Sequence, residues 1–239
     1  MIWFFTGKPR NGKSLHMAEI IYHEMKKGKN VIANFEINEE YFKRSNKNKL
    51  GQFIYVPDKQ WLNNAYKGTT SMYKKTGKYD YNTGGHYSYL DGLKNYALQF
   101  HKRNKRGQMI ENQTLLIFDE CQNLWNNRTW NRADRLDWCD FLRQHGKYGF
   151  EVYLISQDDQ VVDKQIRHIL EYEVEHRCIN NYKVFGKIIG ILLHRKVFIA
   201  IKRWYARKGK KDAHISSELF TAKKFYGFYD SYKIFNEGT

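Results

Sequence analysis

The chain has 239 residues, 41% hydrophobic and 28% charged, which suits one large soluble domain or one domain with a small appendage. Lys and Arg outnumber Asp and Glu by 41 to 25, and the resulting +16 draws polyanions such as nucleic acid or an anionic membrane face. Its three cysteines (Cys121, Cys139 and Cys178) have no C-x-x-C spacing, and no apolar run approaches the roughly 20 residues of a membrane span, so disulfide frameworks and membrane-spanning helices are excluded.

Residues 2–5 form a short apolar run that reads as a buried first strand. It lacks the basic leader of a signal peptide and runs directly into Gly7-Lys8-Pro9-Arg10-Asn11-Gly12-Lys13-Ser14. That stretch satisfies G-x-x-x-x-G-K-[ST] in full and is followed by Leu15 and a helix-forming run over residues 12–27. Gly7 and Gly12 permit backbone turns that a Cβ would obstruct, and the loop amides and the helix N-terminus then converge on phosphate oxygens. Lys13 supplies a point charge for the β- and γ-phosphates, and the Ser14 hydroxyl is placed to ligate Mg²⁺. A chance match in a turn would account neither for the flanking strand and helix nor for the acidic motif further on.

Residues 30–35 and 52–56 are strand-like. Residues 58–106 are the least regular part: 66–89, rich in Tyr, Gly, Lys and Thr, reads as an exposed insertion or hairpin, 87–102 has helical potential, and Lys102, Arg103, Lys105 and Arg106 form a basic turn. Residues 114–118 are an apolar run ending in Asp119 and Glu120. Beside a phosphate loop, Asp119 reads as the Mg²⁺-shell residue and Glu120 as the general base that polarises the attacking water. Consecutive acids favour an ATPase over a small-molecule kinase.

Helical spacing follows over 133–145, then a buried strand over 152–156 ending in Ser156 and Gln157, then a short helix over 164–170. If the 152–156 strand neighbours the Asp119 strand, Gln157 faces the γ-phosphate or the lytic water; the plainer reading is a helix-capping Ser156 and a solvated Gln157. Transition-state charge calls for a further cation, which polymer-moving ATPases draw from a neighbouring subunit. The candidates are Arg143 and Arg167, with Arg167 preferred. From Tyr172 the texture changes: alternating residues, as in Val174, His176 and Cys178, look like half-buried strands, a pattern continued over 197–205 and 216–235. This strand-helix order predicts an α/β fold: a P-loop NTPase core with a mostly parallel central sheet over 1–170, carrying an irregular insertion at about 66–106, and a small β-rich extension over 171–239.

Lys202 to Lys211 interleaves cations with Trp204 and Tyr205, as in single-strand nucleic-acid sites, but it reads equally as a hairpin with a solvated tip. The group Trp125, Trp130 and Trp138 reads as packing. The nine His show no zinc spacing.

Four stretches resemble the Zot (zonular occludens toxin-like) family, the filamentous-phage assembly ATPases of the FtsK–HerA group. They are Phe5 to His16; Ile117-Phe118-Asp119-Glu120-Cys121-Gln122; Arg143-Gln144-His145-Gly146-Lys147-Tyr148-Gly149; and Leu154-Ile155-Ser156-Gln157. Tyr229-Asp230-Ser231-Tyr232-Lys233 is similar to the family's C-terminal signature. The resemblance implies a RecA-like ATPase using ATP and Mg²⁺, assembled as a homo-oligomeric ring with a hexamer expected. It implies work at the cytoplasmic face of the host inner membrane, extruding virions, with phage DNA and coat or pore proteins as partners. Alternatives are a DNA-packaging or DNA-translocating ATPase of the same group and a nucleotide-gated scaffold that recruits coat or pore proteins. Two departures stand out: Arg10 occupies a position that is usually Gly in the family, and the transmembrane helix common after the family's ATPase domain is missing, so membrane association would come through partners or a segment beyond Thr239.

Overall fold

The computed structural model describes residues 1–43, 45, 46, 49–62, 66, 67, 86, 87, 89–128, 134–181, 196–221 and 223–229. In chain order the strands are β1 (Ile2–Thr6), β2 (Asn30–Ala33), β3 (Phe53–Tyr55), β4 (Tyr66–Lys67), β5 (His86–Tyr87), β6 (Thr114–Phe118), β7 (Phe150–Ile155), β8 (Tyr172–Cys178), β9 (Phe198–Trp204) and β10 (His214–Phe220). The helices are α1 (Lys13–Lys26), α2 (Asp58–Leu62), α3 (Tyr89–Phe100), α4 (Arg135–Gln144) and α5 (Lys164–Arg167).

Eight strands form one sheet in the order β10-β9-β8-β1-β7-β6-β2-β3. The run from β3 to β8 is parallel; β9 and β10 add on antiparallel. Strands β6 and β7 are buried along their whole length, as parallel strands covered on both faces must be. One face packs against α1, which buries Met17, Ala18, Ile21, Tyr22 and Met25 at helical spacing, and against Phe225 and Phe228 of the C-terminal segment. The other face packs against α3 and α4 through Leu90, Leu93, Tyr96, Ala97, Trp138, Phe141 and Leu142.

The helix expected over 87–102 is found as α3, which buries four side chains in the core. Two features differ from the sequence expectation. After Phe220 the chain leaves the sheet and makes a 3-10 turn at Lys223–Phe225, because Phe225 and Phe228 drive into the α1 cluster instead of alternating. Beyond residue 170 the chain continues the central sheet, β8 pairing parallel with β1. Within the insertion, β4 pairs antiparallel with β5. Residues 68–85, Trp130, the apolar run 188–193 and residues 230–239 lie outside the described residues.

Candidate functional site

The glycine-rich loop joins β1 to α1 at the carboxyl edge of the sheet. Gly7 has φ 136°, and a Cβ there would meet the His176 carbonyl oxygen at 2.5 Å; Gly12 has φ 94°, and a Cβ there would meet the Phe198 ring at 2.8 Å. Both glycines are thus required by backbone conformation and by close approach. Arg10 also sits in the left-handed region, at φ 64°. The turn therefore keeps a glycine-like conformation with an arginine in it. No side chain caps α1, and its first turn carries no acid, so its N-terminal amides and positive dipole end are open to an anion.

Lys13 is buried at 8% exposure, and its Nζ donates to the Gly7 carbonyl at 2.6 Å and to the Lys8 carbonyl at 3.4 Å. Burial lowers its pKa, and the charges of Glu120 and Asp119 oppose that. The ammonium thus stands between the loop and the acid pair.

Asp119 and Glu120 follow β6. The Asp119 carboxylate accepts from the Glu120 amide at 3.0 Å on Oδ1 and from the Tyr229 hydroxyl at 3.3 Å on Oδ2. Desolvation, then the neighbouring Glu120 charge, pushes the Asp119 carboxyl up to about 6. Glu120 is left-handed, at φ 47° and ψ 49°, a strained conformation for a residue with a Cβ and one that clusters at functional sites. Its Oε2 accepts from Gln122 Nε2 at 2.5 Å and its Oε1 from Gln157 Nε2 at 3.4 Å.

Gln157 reaches Glu120 because β7 lies between β1 and β6, so its carboxyl end opens between the loop and the acids. Ser156 donates to the Asp158 carbonyl at 3.0 Å, and the cap of the following 3-10 turn is Asp158.

Two residues join the site that sequence reasoning missed. Asn34, just past β2, holds the main chain of Asp119 and donates to Asp58 Oδ1 at 2.7 Å. A polar residue closing an apolar strand was its only visible signal. Tyr229 is the second; burial and the Asp119 charge keep its phenol protonated and able to donate. Beneath the loop, His16 Nδ1 meets His176 Nε2 at 2.8 Å, while His176 Nδ1 lies 3.2 Å from the Thr6 carbonyl. A neutral pair satisfies both bonds, and burial holds His16 down at about 4 and His176 well below the ordinary histidine value.

A cavity of about 640 Å³ runs from Arg10–Leu15 past Ala18 to Lys196, Phe198, Phe225, Tyr226 and Tyr229, room enough for a nucleotide. Ser14 and Asp119 are hard oxygen donors, both beside Tyr229, whose hydroxyl donates to Asp119, a donor set that fits Mg²⁺ completed by phosphate and water oxygens.

Neither candidate arginine, Arg143 or Arg167, lines this cavity. Arg143 is exposed and paired with Asp140 at 3.0 Å; Arg167 lies on α5 near Tyr205, its Nε without a hydrogen-bond partner among the described residues. The basic run from Lys202 closes β9 and continues into its connection to β10, and several of its cations are engaged. Lys202 lies over the Trp3 ring at 4.2 Å, Arg203 pairs with Glu175, Arg207 with Asp212, and Lys208 with both Asp159 and Glu173. Trp125 and Trp138 pack against Phe118 in the core.

A mostly parallel sheet, a glycine-rich loop opening a helix, and two acids at the end of β6, with one strand between β6 and the loop's strand β1, define the P-loop NTPase fold. The family model described as Zonular occludens toxin (Zot) matches residues 1–188, and the chain belongs to that family. It is 21% identical to the Gene 1 protein of Enterobacteria phage fd over 245 residues, covering 98% of this chain and 60% of that protein. It is 30% identical to the Gene 1 protein of Salmonella phage IKe over 132 residues, covering 51% of this chain and 35% of that protein. Against the crystal structure of the N-terminal domain of zonular occludens toxin from Neisseria meningitidis it aligns at 16% identity and a TM-score of 0.49, covering 96% of this chain and 98% of that one. The chain thus spans about three-fifths of the phage fd protein it matches. Among the described residues no helix is long and apolar enough to cross a membrane.

Proposed function

We propose that this chain is the ATP-hydrolysing motor of filamentous-phage virion assembly and DNA export, working as a homo-oligomeric ring at the cytoplasmic face of the host inner membrane. The observation that carries the reading is the meeting of Lys13, Asp119, Glu120 and Gln157 around one loop mouth, with Ser14 at its edge. Membership of the Zot family, with phage Gene 1 proteins as relatives, supports the assembly role.

In this reading the loop amides and the open N-terminus of α1 hold the phosphates of ATP. Lys13 exchanges its bonds to the Gly7 and Lys8 carbonyls for β- and γ-phosphate oxygens. Ser14 and Asp119 would hold Mg²⁺, whose charge would offset that of the phosphates. Glu120 takes the proton of the attacking water, and Gln157 fixes the carboxylate that does so. An arginine from an adjacent copy, Arg167 or Arg143, completes the charge. Phage DNA and coat or pore proteins are the partners, and partners or further sequence bring the ring to the membrane.

The test is hydrolysis by wild type and Glu120→Gln. The variant should bind ATP with unchanged affinity and lose about 10²- to 10⁴-fold in turnover. Phage carrying it should release no virions. Wild-type turnover in the variant would reject the assignment of Glu120.

A further inference from the structure

Tyr229 is separated from Asp119 by 110 residues, yet its hydroxyl donates to Asp119 Oδ2 at 3.3 Å and lies close enough to Ser14 to interact with it electrostatically. These are the two oxygen donors assigned above to Mg²⁺. Nothing in the phosphate-loop or acid-pair motifs calls for a tyrosine between them.

The ring is held as firmly as the hydroxyl. It stacks on Phe35 with centroids 4.2 Å apart and planes 21° from parallel. Phe35 is itself buried and follows Asn34, the residue that fixes the Asp119 main chain. Two consecutive residues at the end of β2 therefore fix both partners: Asn34 the backbone of Asp119, Phe35 the ring of Tyr229. Every polar group of Asp119 then has a partner. Its amide and carbonyl meet Asn34, Oδ1 meets the Glu120 amide, and Oδ2 meets Tyr229. A free carboxylate could rotate toward Lys13, on whose ammonium it already acts. The phenol holds it toward Ser14 instead.

We infer that Tyr229 is a positioning residue of the cation site, its hydroxyl fixing the Asp119 carboxylate beside Ser14 before the cation arrives. The inference rests on the nucleotide-binding reading above. It also gives the C-terminal segment a role at the site: Phe225, Tyr226 and Tyr229 wall the same cavity as the loop, so the segment is part of the nucleotide site as well as of the α1 core. Preorganisation of this kind stabilises the cation-bound state by sparing it the ordering of its donors.

The experiment is equilibrium binding of a fluorescent, non-hydrolysable ATP analogue, measured in EDTA and across a Mg²⁺ titration. Tyr229→Phe keeps the ring on Phe35 and removes only the hydroxyl. Its affinity in EDTA reads whatever the hydroxyl contributes to the nucleotide directly, and the Mg²⁺ concentration for half-maximal enhancement should rise about tenfold over wild type. Phe35→Leu loosens the ring but leaves the hydroxyl, and should shift the Mg²⁺ midpoint the same way by a smaller factor. A residue that only packs the C-terminal segment would lower the melting midpoint and leave the Mg²⁺ midpoint alone. An unchanged Mg²⁺ midpoint in both variants overturns the inference. A wild type that binds no analogue in either buffer overturns the nucleotide reading beneath it, so the two failures are distinguishable.

Discussion

The carboxamide of Asn34 clasps the main chain of Asp119 from both sides: Oδ1 accepts the Asp119 amide at 2.7 Å and Nδ2 donates to the Asp119 carbonyl at 2.8 Å. The clasp takes over where the hydrogen bonds between β2 and β6 end, and it fixes the direction in which the strand delivers its acids.

Replacing Asn34 by Ala leaves two main-chain polar groups of Asp119 without their partner at a site where Asn34 itself is 5% exposed. The expected cost is about 2 kcal/mol of stability, read by urea denaturation, with a matching fall in nucleotide turnover. Wild-type stability and turnover together would show that the clasp is incidental.

Arg10 carries a left-handed backbone at φ 64°. Strain of that kind costs roughly 1 kcal/mol in a residue with a Cβ. Arg10→Gly should therefore raise the thermal midpoint by about 2–4 °C, which calorimetry would detect. A lowered midpoint would mean that the arginine side chain makes a compensating contact.

The neutral His16–His176 pair makes stability depend on pH. His16 titrates at about 4 in the folded chain against 6.5 for an unperturbed histidine. Between those values the unfolded chain binds more protons, so the pair's contribution is complete above about pH 6.5 and is lost as the pH falls toward 4. The His16 share is on the order of 3 kcal/mol. Asp119, raised to about 6, has the opposite sign: its folded form gains the proton first, and that term favours folding as the pH falls. The His16 share is therefore the difference in urea midpoint between wild type and His16→Gln, which should change in the variant's favour from pH 7 to pH 4.5. A difference independent of pH would exclude a buried neutral pair.

The sequence carried the parts of the site that are local. The phosphate loop lies within eight residues, its helix was expected over 12–27 and found at Lys13–Lys26, and the acidic strand was expected over 114–118 and found at Thr114–Phe118. Such signals survive because backbone turns and buried runs are dictated by neighbouring residues. Asn34 and Tyr229 were not legible as site residues, because their roles come from pairing β2 with β6 and from folding a distant segment onto α1. The first has no signature in the residues themselves, and the family-like stretch beginning at Tyr229 does not by itself tell where that tyrosine docks. The basic run after Lys202 shows the converse: composition pointed equally to a polyanion site and to a hairpin, and only the ion pairs of Arg203, Arg207 and Lys208 reveal how much of that charge is already engaged.

The central claim is that Lys13 and its loop hold a triphosphate. Calorimetric titration of wild type and Lys13→Ala with Mg²⁺ and a non-hydrolysable ATP analogue tests it most directly. Saturable one-site binding by wild type, weakened at least about 100-fold in the variant, is the predicted result, since a charge-assisted contact to phosphate is worth roughly 3 kcal/mol. Equal binding by the two proteins, or none by wild type, would contradict the account.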